Sequence, residues 1–261
     1  MAEMCLKICS DAAGYKAVAR GEQVVNLVYQ GEYVRGDRIE IEVEEPVYAW
    51  LSVDDTLDRS LVYIDGTVKY NIPFDEKRTN LSARSFSGEK HLITLRRAAD
   101  YELTNYRNLA LNTCDLHLVE HLYPHISANV ETRGEAVFAA QNAIDGIIAN
   151  NCHGEWPYES WGINRQADAM FRLDFGQEVL VDRILLFTRA DFPHDNWWKE
   201  VSFSFSDGSQ LTLNMEKSDA SHELVFDEKR ISWLEMHDMK QSDDPSPFPA
   251  LSQIEVWGRI R

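Results

Sequence analysis

Apolar and polar residues alternate along much of the chain with a period of two. In Asp37 to Val43, Ile39, Ile41 and Val43 are interleaved with Glu40 and Glu42, and in 201–205 Val201, Phe203 and Phe205 are interleaved with Ser202 and Ser204. That period puts one set of side chains on each face of a sheet, so both segments are predicted as strands with one wet face. Similar β-rich runs at 23–29, 47–53, 90–96, 169–175, 183–188, 210–215, 222–226, 230–236 and 253–258 extend the expectation over most of the sequence. Asp65-Gly66 and Asp207-Gly208 fall between such runs, where a tight hairpin favours residues that tolerate positive φ; both are predicted as turns. Helical spacing stands out over 135–144, where Ala136, Ala139, Ala140 and Ala143 precede a stop at Asp145-Gly146.

Many short strands and little helix predict an all-β chain built as two β-sandwich, or jelly-roll, domains over 1–105 and 106–261. Tryptophan supports that division, since only Trp50 of the seven lies in the first part. No Gly/Ser-rich or Pro-rich linker separates the parts, so they are expected to pack closely. The net charge of −17, from 26 basic and 43 acidic residues, argues against nucleic acid and membrane surfaces as partners. The opening MAEMCLKICSDAAGYK has no apolar leader core, which places the chain in the cytoplasm as an expectation. Four cysteines without a C-x-x-C pair suggest reduced thiols rather than a disulfide or zinc framework. Glu40, Glu42, Glu44 and Glu45 read as a solvated acidic edge, and Asp54 to Asp58 as an Asp-rich turn.

The sequence contains no G-x-S-x-G elbow, Walker loop, G-x-G-x-x-G fingerprint or H-E-x-x-H. His117, His121 and His125 recur every four residues, but Pro124 interrupts any shared helical face, so separate hydrogen-bonding roles are expected. The second half carries two aromatic and polar clusters. One holds His153, Trp156, Tyr158 and Trp161; the other holds Arg189, Asp191, His194, Asp195, Asn196, Trp197 and Trp198. Indole faces suit the C–H face of a sugar ring, while Arg, Asp and Asn supply the donors and acceptors that its hydroxyls require. These residues are therefore the candidate ligand-binding set, with the two clusters expected to meet in space. The same rings could instead plug the ends of a sandwich, and the polar residues could brace a loop.

From Asn108 onward the chain resembles the coagulation factor 5/8 type C, or discoidin-like, domain, a galactose-binding-like sandwich that includes family 32 carbohydrate-binding modules. The resemblance rests on Tyr123 to Ala128 as the opening strand, the A-x-x-A-I-D-G pattern of Ala140 to Gly146, Trp161, the strand Phe171 to Gly176, and Ile254-Glu-Val-Trp-Gly258 as the closing strand. It implies a ligand site in the loops at one end, with Arg189 and Asn196 at sugar-contacting positions. It also implies a structural calcium ion, Ca2+, near the Asp-Gly turn, with Asp145 and Glu255 as its ligands. The N-terminal part resembles bacterial proteins that carry no assigned chemistry. Non-catalytic carbohydrate binding, with weak single-site affinity that a homo-oligomer could raise, is the first functional reading. The alternatives are an enzyme acting on a sugar through Asp191, His194 or Asp195, and a structural protein-interaction module.

Overall fold

Alternation of side chains is realised as antiparallel pairing throughout. The structure, a computed structural model, describes residues 2–12, 14–190 and 196–260. In the N-terminal half, Met4–Ser10 pairs with Gly14–Gly21 on one side and Asp37–Val43 on the other, and Val68–Asn71 completes the four-stranded sheet. A five-stranded sheet runs in the order Leu122–Tyr123, Ser60–Ile64, Val47–Ser52, Lys90–Arg97, Val24–Gln30. Leu6, Ile8, Ile39 and Ile41 of the first sheet share one core with Leu27, Leu51, Ile93 and Leu95 of the second. Each such fully buried side chain contributes about 1.5–3 kcal/mol.

Three expectations are corrected here. The strand Asp37–Val43 is interior rather than an edge, and Glu40 is buried against Arg38 while Glu42 accepts from Lys7 Nζ at 2.5 Å. Its polar face is thus tied by ion pairs to its own strand and to the neighbouring one. Asp65-Gly66 is not a hairpin turn, because Ser60–Ile64 and Val68–Asn71 belong to different sheets and the turn carries the chain between them. Residues 135–144 form two short 3-10 turns, Ala136–Phe138 and Ala140–Ile144, because Ala139 between them is extended and the Ala140 N–H donates to the Glu131 carboxylate at 2.8 Å. Asp207-Gly208 does close a hairpin, with Phe205 donating to Ser209 O at 3.0 Å. Asp54 braces its own loop, accepting from Thr56 N and, across to another segment, Phe86 N.

The C-terminal half is a sheet in the order Trp161–Gly162, Ala250–Ile260, Phe171–Arg189, His222–Gln241, Trp198–Phe205, Gln210–Asn214. The expected strands at 169–175 and 183–188 join into Phe171–Arg189, with register shifts between Asp174 and Val179 and between Val181 and Arg183. Gly176, at φ 70°, supplies a left-handed residue that most side chains disfavour. Before this irregularity the strand pairs with His125–Ala128; after it the partner is Ala250–Ile260. One strand therefore serves two layers, which close as a β-sandwich over Phe171, Leu173, Phe203, Phe205, Leu234 and Val256.

The two halves are sewn together by residues 107–128. Arg107–Asn108 pairs with the closing strand, Leu109 and Ala110 enter the C-terminal core, and Cys114, Val119 and Leu122 enter the N-terminal one. Buried Asp115 bonds His125 Nδ1 at 2.7 Å and accepts the Ile126 N–H at 3.0 Å as the chain returns. His117 lies near Glu131 and His121 bonds Asp65, so the three histidines serve three different carboxylates. Among the described residues, no helix is long and apolar enough to cross a membrane.

Glu102, in the short helix Asp100–Leu103, collects Arg96 through Nη1 and Nη2 (3.0 and 2.7 Å), the Ala99 N–H (2.8 Å) and Trp50 Nε1 (3.0 Å). Arg96, then the Ala99 N–H, lower its pKa to about 2. A depressed carboxylate stabilises the fold above its unfolded value of about 4.3, and the contribution disappears as pH falls through the folded value. Glu102→Gln should cost about 1–2 kcal/mol in urea unfolding at pH 7 after allowance for solvent screening. The difference from the parent chain should vanish near pH 2.

Candidate functional site

At one end of the C-terminal sandwich, the loops after several strands enclose a cleft of about 220 Å³. Its floor is the strand end at Gly162, where an added Cβ would lie 2.6 Å from Thr132 Oγ1. That oxygen accepts the Asn164 N–H at 3.0 Å and holds the following turn. Asn164 and Arg165 in this turn, and Arg133 opposite, have φ of 48°, 61° and 55°, a region that costs non-glycine residues energy and recurs where side chains are held for function. The turn aims Arg165 over the Phe248 ring, 4.5 Å from guanidinium carbon to ring centroid, and Arg133 lies 5.4 Å from the Phe138 centroid.

His153 and Arg189 complete the walls. One comes from each aromatic-polar cluster, so those distant segments do meet. Arg189 closes the long strand Phe171–Arg189 and is 1% exposed, whereas His153 is open to solvent. Arg133, Arg165 and Arg189 line the cleft, and no Asp or Glu does among the described residues. Arg133 is paired with Glu135 through Nε and Nη2 at 2.5 and 2.6 Å. Phe248 is 42% exposed between Pro247 and Pro249, a ring presented to water beside planar cationic groups.

The other candidates occupy different places. Trp161 and Trp198 are wholly buried in the C-terminal core. Trp161 meets Phe171 edge-on at 5.3 Å and donates from Nε1 to Val130 O at 2.9 Å, so neither indole offers a face to a ligand. Asn196 is also buried, and is corrected from a ligand contact to a loop clamp. Its Nδ2 donates to Ser246 O at 2.8 Å, its Oδ1 accepts from Ser242 Oγ and Trp197 N, and its own N–H donates to Phe248 O at 3.2 Å. It thereby positions Phe248. Trp197 is half-buried, and its carbonyl accepts the Ser242 N–H at 2.9 Å. Tyr158 is half-buried in the turn that Gly154 N closes on Tyr158 O at 3.3 Å. Trp156 stands outside the cleft and faces the N-terminal half. Asp191, His194 and Asp195 lie outside the described residues, and with them the acid and base of the enzyme alternative.

The two expected calcium ligands have different hydrogen-bond partners. Glu255 accepts from Trp257 Nε1 at 2.7 Å, and the closing-strand residue at the Asp145-Gly146 turn is Gln253, whose Oε1 accepts the Gly146 N–H at 3.1 Å. Among the described residues no three His, Cys, Asp or Glu side chains gather at one point, so Asp145 and Glu255 are not members of one acidic cluster that also holds Glu159. Asp145 instead faces Glu159. Glu159 is 2% exposed, and neither carboxylate oxygen has a hydrogen-bond donor. Burial raises its pKa to about 7; burial, then the Glu159 charge, holds Asp145 well above the ordinary carboxylate range. Asp145 is half-buried and its Oδ1 accepts the Ile147 N–H at 2.8 Å, so of the two carboxylates it is Glu159 that lacks a donor, and hard oxygen ligands of this kind are the type that calcium takes.

Sequence reasoning missed Arg133, Arg165, Phe248 and Glu159. Phe248 carried a signal, as an aromatic between two prolines within the polar run 241–249. The arginines carried none, because each is a lone basic residue until the turns aim it.

The family model described as Domain of unknown function (DUF7402) matches residues 125–257. No curated protein sequence matches the chain. Similar solved structures include chitosan-binding module 1 of a chitosanase/glucanase from Paenibacillus sp. IK-5, at 19% identity over 58% of this chain and 98% of that one, TM-score 0.39. The family 32 carbohydrate-binding module of C. perfringens NanJ, solved with galactose, is 17% identical over 51% of this chain and 91% of its own, TM-score 0.39. A Streptococcus pneumoniae fucose-binding module is 13% identical over 57% and 96%, TM-score 0.39.

Replacing the buried Trp161 with alanine should remove about 3–5 kcal/mol of stability in denaturant unfolding, as for other large core aromatics. A change below about 1 kcal/mol would contradict its placement in the core.

Proposed function

We propose, for a chain that belongs to the DUF7402 family, that the cleft of the C-terminal sandwich is a non-catalytic carbohydrate-binding site. The observation that carries the reading is the half-open Phe248 ring set against Arg165, with Arg189 and His153 on the adjoining walls. A pyranose lays its C–H face on an aromatic ring and asks for donors at its edge, and guanidinium and imidazole N–H groups supply them. Stacking on Phe248 restrains the exposed Arg165 side chain, which reduces the ordering cost of binding. The exposed Arg165 guanidinium favours sugars that present a carboxylate, a sulfate or several acceptor oxygens to one fork. The sequence resemblance to discoidin-like domains supports the same class of ligand.

Calorimetric titration against a panel of neutral and acidic sugars should show binding without turnover. Phe248→Ala and Arg165→Ala should each weaken it about tenfold or more while leaving the melting temperature near that of the parent. A panel that yields no heat and no thermal shift would end the carbohydrate reading.

We further propose that Asp145 and Glu159 hold a calcium ion. Bound there, the ion supplies the positive charge that the paired carboxylates lack, and it ties the end of the 147–160 segment to the turn beside the closing strand. Calcium should raise the melting temperature at pH 8 relative to chelator, by mass action on the native state. Glu159→Gln should abolish that rise, and a calcium response that survives the substitution would show that the ion sits elsewhere.

A further inference from the structure

We propose that the binding surface continues from the cleft onto Trp156, where the N-terminal half supplies the facing wall, and that the ligand is therefore an oligosaccharide rather than a single sugar. This inference rests on the carbohydrate reading of the cleft.

Trp156 borders a second hollow, more open than the cleft, with about 320 Å³ of free space. Trp156 is 42% exposed, so part of its ring is open to a ligand. Around the ring stand Arg78 and Ser82 from the N-terminal half, with Asp75 held by Arg35, and Glu155 from the same loop as the indole. Carboxylates accept and guanidinium and hydroxyl groups donate, so the hollow repeats the combination of an aromatic face with hydrogen-bonding edges. Arg78 spends one donor on Ala83 O at 3.3 Å, which leaves most of its fork available.

The hollow is built rather than incidental. The Trp156 N–H donates to Thr79 O at 2.9 Å across the two halves, and the turn behind it is closed by Tyr158 N donating to Glu155 O at 3.0 Å. Asn80, next to Thr79, donates to Asn142 Oδ1 at 2.8 Å and fixes the N-terminal wall against the C-terminal domain. His153, in the cleft, and Trp156, in the hollow, are three residues apart, so their Cα atoms are at most about 11 Å from each other. The two hollows are therefore close enough for a short chain of pyranose units to reach from one to the other. A single sugar fills one hollow; only a chain of units uses both, and it does so without paying again for lost translational freedom.

The test is a printed array of neutral and acidic glycans graded from one to six sugar units, followed by calorimetry on the best series. Affinity should rise with chain length up to a few units. In Trp156→Ala the gain with length should disappear, a loss of about five- to tenfold for the longer members, as expected for one stacked aromatic. Arg78→Ala, a second surface variant, should reduce the same gain, and a melting curve for each verifies folding. Equal affinity for one unit and for six, or a length dependence that Trp156→Ala leaves intact, would overturn the extended site while leaving the cleft as a single-sugar site. Absence of binding to every glycan would overturn both.

Discussion

The arrangement of both hollows depends on one buried amide. Asn142 sits in the 3-10 turn Ala140–Ile144, and its Nδ2 donates to Ala136 O at 2.8 Å and to Ser160 O at 3.3 Å while its Oδ1 accepts from Asn80. Those partners belong to the turn that carries Phe138, to the end of the 147–160 loop and to the N-terminal wall. A buried amide with all these groups satisfied is stable in one geometry, and loss of any partner strands a polar group away from water. The side chain thereby sets how the loop bearing His153 and Trp156 lies against both halves.

Around that anchor the loop is held by groups that a core of hydrocarbon could not supply. At one end Asp145 faces Glu159, a pair that repels itself when ionised and holds together when neutralised. At the other cleft wall, Asn196 gathers the carbonyls of the 242–248 loop and presents Phe248. The scaffold beneath contributes rigidity: the strand Phe171–Arg189 spans both layers and delivers Arg189 at its end. Binding residues placed on loops over such a frame lose little freedom when a ligand arrives.

The strands were legible because alternation survives wherever one face of a sheet is covered. The strand Met4–Ser10 was not, since all seven of its residues are buried and its cysteines and Lys7 blur the period. The apparent helix over 135–144 had helical spacing, but its backbone donors are taken by Glu131 and by extended Ala139. The two aromatic clusters were visible as composition. Which of their rings would be buried was not, because Trp161 and Trp198 differ from Trp156 only in the side of the strand or loop they occupy. Arg165 looked like any surface arginine until a left-handed turn laid it on Phe248.

The amino-acid sequence by itself determined the all-β class, the turn at Asp207-Gly208, the acidic surface charge and the concentration of rings and polar groups in the second half, all of which depend on local pattern and composition. Tertiary structure alone decided that His153 and Arg189 share a cleft with Arg133, Arg165 and Phe248, that Glu159 rather than Glu255 faces Asp145, and that the N-terminal half walls the hollow at Trp156. These are contacts between segments far apart in the chain. Their energies depend on burial and on hydrogen-bond geometry, which no local run of residues encodes.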